Sequence, residues 1–355
     1  MSINIKKNLG PYGGGNQFAN GLEGALVAAG HEVLRTLAPE LDLILIVNAQ
    51  SNLLSTAYTV EQIERYVFHH PSTVVVHRVN TCDEQRGRLI GINNAVLAAN
   101  RIADHTVFVS DWVRGHFIER GMRDDGPHTV ILNGADREIF HADGRAEWTP
   151  GEPIKLVTHH WSDNYLKGFD IYERIDNLLD RPEFRERFSM TFIGNVNIAT
   201  RFRNVEVVEP IAGPTLAAAL REHHLYVTGT RLEPGGNHYV EAMACGLPVL
   251  HLESGSTPEY CAEYGVGFRL DNFEEKLDEA AARLTELREK VLTYDDDATK
   301  MTAQYTALFD DIMAAPSRRE KSAPGAIRRV TFDLAYLGRH FGRLGARVWR
   351  KVHMG

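Results

Sequence analysis

Short apolar runs alternate with amphipathic stretches along most of this chain, and no other feature constrains its fold as much. Leu41–Val47, Thr73–His77, Thr106–Ser110 and Thr129–Leu132 read as buried strands. Continuous apolar runs separated by helices predict parallel sheets covered on both faces. A more polar strand over Ile3–Lys6 leads into Gly10-Pro-Tyr-Gly-Gly-Gly-Asn16. The helical face that follows, with Phe18, Leu22, Ala25, Leu26 and Ala29, stops at Gly30. His141–Pro153, with Gly144, Pro150, Gly151 and Pro153, reads as a linker.

Beyond the linker the alternation resumes. Strands are expected at Ile154–Thr158, Met190–Ile193, Val205–Val208, Leu225–Thr228 and Pro248–Leu252. Helices are expected at Phe169–Leu179, Gly213–Glu222, Asn237–Cys245 and Asn272–Leu292. A last helix near Ala298–Met313 could pack on either half. At 355 residues, two domains are the natural division. The expected architecture is α/β: two Rossmann-like domains, residues 1–145 and 153–297, facing a cleft. A closing helix follows over 298–315, and a basic helical tail over 317–355.

Composition adds a compartment and a charge asymmetry. Cys82, Cys245 and Cys261 fit no zinc or redox spacing, so a reducing, cytoplasmic setting is expected. The first residues hold no apolar signal core, and no apolar run approaches the ~18 residues that span a bilayer. The net charge is −8, yet residues 317–355 hold ten Lys/Arg and two Asp/Glu, or +8, so the rest carries −16. That acidic body argues against nucleic acid as a partner.

The richest stretch for chemistry is Glu233-Pro-Gly-Gly-Asn-His-Tyr-Val-Glu241, continuing Ala-Met-Ala-Cys-Gly-Leu-Pro-Val-Leu250. It follows an apolar strand and opens a helix. Amide N–H groups at such a start attract phosphate, and Gly235 and Gly236 allow close approach. Glu233 before the helix and Glu241 within it could address different parts of one ligand. Asp295-Asp296-Asp297 invites a metal reading, but it lies between two helical patterns and reads as a solvated loop.

These residues resemble the retaining glycosyltransferases of the GT-B fold, family 4 in particular. That family carries a Glu-x7-Glu motif continuing E-A-M-A-x-G-x-P-V, matched over Glu233–Val249. Val107–Phe117, Val130–Phe140, Lys167-Gly-Phe-Asp170 and Gly255-Ser-Thr-Pro-Glu259 resemble further segments of it, in the same order, over roughly residues 8–315. The resemblance implies sugar transfer from a nucleotide-diphosphate donor to an acceptor hydroxyl with retained anomeric configuration. The setting would be cell-surface polysaccharide or glycolipid synthesis, with no metal and no other cofactor. Lys167 would neutralise the diphosphate, and Glu241 would hold the ribose hydroxyls. Glu233, with the amides of Gly235, Gly236 and Asn237, would hold the donor sugar. Gly13, Gly14 and Gly15 would close over the donor from the opposite wall, and His77 would stand near the reacting sugar. Arg78, Asp83 and Arg86 follow the His77 strand and could line an acceptor pocket.

One departure stands out. The family has an Arg about five residues before its K-G lysine, where this chain has Ser162. His159, His160 or Arg231 could replace it. The departure leaves open a catalytically degenerate sugar-nucleotide-binding partner, and another GT-B enzyme such as an epimerase remains a second alternative.

The tail has a pattern of its own. Ile327, Val330, Leu334, Leu337, Phe341, Leu344 and Val348 form an apolar helical stripe flanked by arginines. It could pack on the body, self-associate, or lie on an anionic membrane, where each basic residue contributes roughly 1 kcal/mol. A peripheral place on the inner membrane face, near a glycan or lipid-linked acceptor, would follow from the last.

Overall fold

The computed structural model describes residues 1–8 and 14–315, and in the tail Asp333 and Tyr336. In chain order the first domain contains β1 (Ser2–Ile3), α1 (Gly14–Ala28), β2 (Leu43–Ile46), α2 (Val60–His69), β3 (Val74–Val79), α3 (Ile92–Asn100), β4 (His105–Phe108), α4 (Asp111–Ile118) and β5 (His128–Val130). The second contains β6 (Ile154–His160), α5 (Phe169–Leu178), α6 (Pro182–Arg185), β7 (Phe188–Gly194), β8 (Glu206–Val208), α7 (Gly213–Arg221), β9 (Leu225–Thr228), α8 (Asn237–Ala244), β10 (Val249–Leu252), α9 (Thr257–Cys261), β11 (Gly265–Phe268), α10 (Phe273–Ala282) and α11 (Leu284–Lys290). A final helix, α12, spans Ala298–Ala314.

Every strand pairing is parallel. β3 is buried along its whole length, as strands covered on both faces must be. Helix starts are fixed by side chains. Thr59 and Gln62 form a reciprocal capping box on α2. Ser110 caps α4 by accepting the Val113 amide at 3.1 Å.

The second sheet runs β11-β10-β9-β6-β7-β8. Its chain order reverses between β6 and β9, and ligands of open parallel sheets bind at such a reversal. The first sheet runs β1-β2-β3-β4-β5. On its other edge β1 makes a parallel bridge to Leu34. The first domain therefore also reverses, at β1, but the far side is one bridge rather than a strand.

α12 returns to the first domain. Met301, Tyr305 and Phe309 share a core with Phe18, Leu22 and Leu26 of α1. Asp297 begins the helix by accepting the Lys300 amide at 2.8 Å. Asp295 and Asp296 both meet Lys300 Nζ, so this acidic run is the cap and ion-pair partner of a helix start. Just before it, Asp297 pairs in parallel with Ala135. A Cβ on Gly134 would fall 2.1 Å from the Asp297 backbone, so only glycine admits this crossing.

The expected helix over Asn272–Leu292 divides into α10, α11 and a short turn at Val291–Thr293. The sequence reading of the tail lies outside the described residues except at two positions. Asp333 accepts from Arg65 Nε at 2.8 Å, and Arg65 lies over the Tyr336 ring, both on α2. No described helix is long and apolar enough to cross a membrane.

Candidate functional site

A cleft of about 600 Å³ opens between the domains where both sheets reverse. Gly14, Gly15, Arg78 and Arg86 line it from the first domain. Lys167, Glu233, Gly235, Gly236, Asn237 and Glu241 line it from the second.

The second domain builds its wall from the two strands at its reversal. After β6, Asn164 turns the chain by accepting the Leu166 amide at 3.1 Å, and the single turn Tyr165–Lys167 ends at Gly168. Gly168 has φ +100°, and a Cβ there would lie 2.6 Å from the Gly229 backbone. The turns after β6 and β9 can therefore touch. This contact brings Lys167 Nζ onto Glu233 Oε2 in an ion pair. Thr230 Oγ1 donates to the same carboxylate oxygen at 3.3 Å. Gly235, Gly236 and Asn237 line the cleft at the start of α8, the positive end of the helix dipole.

Glu241, inside α8, meets His159 Nε2 at 3.0 Å. Behind it His160 and His238 pack with ring centroids 4.7 Å apart. Burial, and then the nearby Lys167 and histidine rings, hold both far below the ordinary histidine range. They are neutral at physiological pH and supply no cation. Arg231 is engaged elsewhere, in a bidentate pair with Asp170 at 2.9 and 2.5 Å, and does not line the cleft. His159 lies in the cleft but is spent on Glu241. None of the three expected substitutes for the absent Arg is a free cation on this wall.

The glycine turn is clamped from across the cleft. Ser110 Oγ donates to the Pro234 carbonyl at 2.6 Å, and Asn133 Nδ2 to the Gly235 carbonyl at 3.0 Å. Tyr260 of α9 donates to the Val109 carbonyl at 2.6 Å and accepts the Asn133 amide at 2.9 Å. Glu259 accepts the first amides of α4, from Asp111 and Trp112. Gly14 lies so close to Asn237 that a Cβ would meet its Nδ2 at 2.8 Å.

The remaining sequence expectations divide. Gly13 lies outside the described residues. His77 sits in the middle of β3, 1% exposed, and is not among the residues that line the cleft. Burial lowers its pKa to about 3. Its neighbour Arg78 does line the cleft. Asp83 is buried away from it, accepting the amides of Ile90, Ile92 and Asn93. It is a loop anchor, not an acceptor contact. Arg86 lines the cleft and is exposed. Sequence reasoning passed over Ser110, Asn133 and Tyr260, whose only signal was their place in the segments before α4, after β5 and in α9.

Among the described residues, Cys82, Glu84 and His116 bring possible metal ligands within 4.8 Å of one another. Glu84 is already taken by Asn93, His116 and Arg120. The group is a satisfied ion-pair cluster.

Comparisons with known proteins agree with this geometry. Residues 203–301 match the family described as Glycosyl transferases group 1. No curated protein matches the sequence. Among solved structures, sucrose-phosphate synthase from Thermosynechococcus elongatus is similar at TM-score 0.60 and 16% identity, over 88% of this chain and 98% of that one. HepE from Anabaena in complex with UDP-glucose is similar at TM-score 0.63 and 14% identity, over 87% and 99%. WaaG, a glycosyltransferase involved in lipopolysaccharide biosynthesis, is similar at TM-score 0.61 and 14% identity, over 89% and 100%. The fold is GT-B.

Proposed function

We propose that the chain transfers a sugar from a nucleoside-diphosphate donor to an acceptor hydroxyl with retention of configuration, as a family 4-like enzyme. One observation carries this reading. Lys167 and Glu233 are brought together at the reversal of the second sheet, beside the glycine turn that opens α8. A departing nucleoside diphosphate gains negative charge, and a cation with amide donors at that point stabilises the transition state. Glu241, held by His159, is positioned to accept hydrogen bonds from ribose hydroxyls. Glu233 would take the donor sugar's hydroxyls once Lys167 turns to phosphate.

With Glu233 committed to the sugar's hydroxyls and to Thr230, it is not assigned as a nucleophile. Departure and attack on one face of the sugar is the reading adopted, with the acceptor's proton passing to the leaving phosphate oxygen. The match to glycosyl transferases group 1 and the fold shared with a UDP-glucose complex support the donor class. A glycan or lipid-linked acceptor in cell-surface polysaccharide or glycolipid synthesis completes the proposal. The tail over 317–355 would then meet an anionic membrane from the cytoplasmic side.

A nucleotide that binds the native state raises its melting temperature. Thermal shifts against UDP, GDP, ADP and their sugars should single out one base. NMR of the product, or of the freed sugar, should show the donor's anomeric configuration. Binding without hydrolysis or transfer would turn the reading into that of a degenerate binding partner. Liposome co-sedimentation of the full chain and of a chain ending before Ser317 tests the tail; equal binding by both removes its membrane role.

A further inference from the structure

The charges of the cleft do not balance, and the surplus lies on one side. Among the described residues that line it, the cations are Lys167, Arg78 and Arg86 and the carboxylates are Glu233 and Glu241. Lys167 is paired with Glu233, and Glu241 with His159. The two arginines of the first domain pair with no described carboxylate. A cationic surplus facing a cleft, on a body of net charge −16 outside the tail, asks for an anionic ligand.

The two arginines are not equivalent. Arg78 is 3% exposed, lies over the Phe18 ring at 3.9 Å, and donates from Nη2 to Asn133 Oδ1 at 2.7 Å. Asn133 in turn holds the Gly235 carbonyl, so Arg78 acts through Asn133 on the glycine turn. Arg86 is exposed and ends the short turn Glu84–Arg86. Contacts on both sides press that turn against the segment leading into Lys167. The Gln85 carbonyl accepts from Asn164 Nδ2 at 3.0 Å, and a Cβ on Gly87 would lie 2.9 Å from Leu166 Cδ1. Arg86 therefore enters the cleft beside the residues that carry Lys167.

We propose that Arg86 is the second cation for the donor's diphosphate, supplied by the first domain from across the cleft, while Arg78, through Asn133, is a positioning residue for the glycine turn. The proposal rests on the nucleoside-diphosphate reading above. It makes donor binding a joint act of both domains. A guanidinium suits the task because its planar donors match phosphate oxygens.

The test is calorimetric titration of the full chain with UDP, GDP and ADP and with the corresponding nucleosides. The variants are Arg86→Gln and Arg86→Lys. Because Arg86 is exposed, the Gln variant should keep the melting temperature of the unaltered chain. The diphosphate that binds the unaltered chain should lose roughly 10-fold to 100-fold in affinity with Arg86→Gln. Nucleoside affinity should not move, and Arg86→Lys should recover part of the loss. Diphosphate affinity within twofold of the unaltered chain would overturn the assignment, as would an effect confined to the acceptor's KM. If the unaltered chain binds no nucleoside diphosphate, the donor reading falls and this inference falls with it.

Discussion

The two walls of the cleft solve the same electrostatic problem in opposite ways. On the second domain each functional charge has a partner from its own wall: Lys167 with Glu233, and Glu241 with His159. On the first domain Arg78 leans on a ring and an amide oxygen, and Arg86 has no described ion-pair partner. The difference follows the sheets. The second domain's reversal lies between two full strands, β6 and β9, whose end turns touch and can carry complementary residues. The first domain's reversal is a single bridge at Leu34, and its arginines come from β3 and the turn beyond it. If the donor binds as proposed, one wall is organised before it arrives and the other is completed by it.

The strongest way to break this contrast is to remove the paired cation. Lys167→Ala should lower kcat roughly 10²-fold to 10³-fold. Glu241→Ala should chiefly raise the donor KM. Steady-state kinetics on protein of verified fold would check both, and near-normal kcat in the first with an unchanged donor KM in the second would remove the site assignment.

Acid should weigh on the second domain more than on the first, where His77 is the comparable ring. In the second domain burial, followed by neighbouring cations, lowers His224 to about 4, burial lowers His251 to about 4, and burial likewise holds His160 and His238 well below the ordinary range. The unfolded chain takes up protons near pH 6.5 while the native rings refuse them. Stability is therefore full above that pH and declines as pH falls toward 4. Each such ring steepens the decline by up to about 1.4 kcal/mol per pH unit. Melting curves from pH 7.5 to 5 should show the loss, and His251→Leu should flatten the slope. A melting temperature constant over that range would contradict the buried, neutral rings.

A smaller effect tests the first domain's architecture. Asp83→Ala strips the loop 84–93 of an acceptor for three amides and should cost about 2–3 kcal/mol in urea unfolding. Loosening the loop that carries Arg86 should also weaken donor binding severalfold; a change confined to acceptor kinetics would restore Asp83 to the acceptor pocket. Smallest of all, Gly14→Ala should shift Asn237 by a few tenths of an ångström and raise the donor KM severalfold with little loss of stability.

Much of this molecule is legible in its sequence. Leu225–Thr228 is a strand over the same four residues that the apolar run marks, and Asn237 opens α8 as the glycine turn suggests. Local pattern suffices there because β-branched runs and glycine turns carry their own geometry. His77 shows the limit. Its match to a family position says nothing of which way a strand residue points, and the alternation of β3 turns Arg78, not His77, toward the cleft. Asn133 and Tyr260 were illegible for another reason: their partners lie more than a hundred residues away, and only the assembled domains reveal the clamp. β11, Gly265–Phe268, carries two glycines in four residues and gives almost no propensity signal, yet β10 holds it in register.

The return of α12 to the first domain has a consequence in covalent topology. The chain crosses between domains at Gly134–Ala135 and again beside it at Asp297, and Phe140 and Arg145 already pack on the second domain before the exposed stretch Thr149–Pro153. A single protease cut in that stretch should yield two fragments that migrate apart in denaturant but elute together from a sizing column. The larger fragment carries Met301, Tyr305 and Phe309, which are core residues of the smaller one.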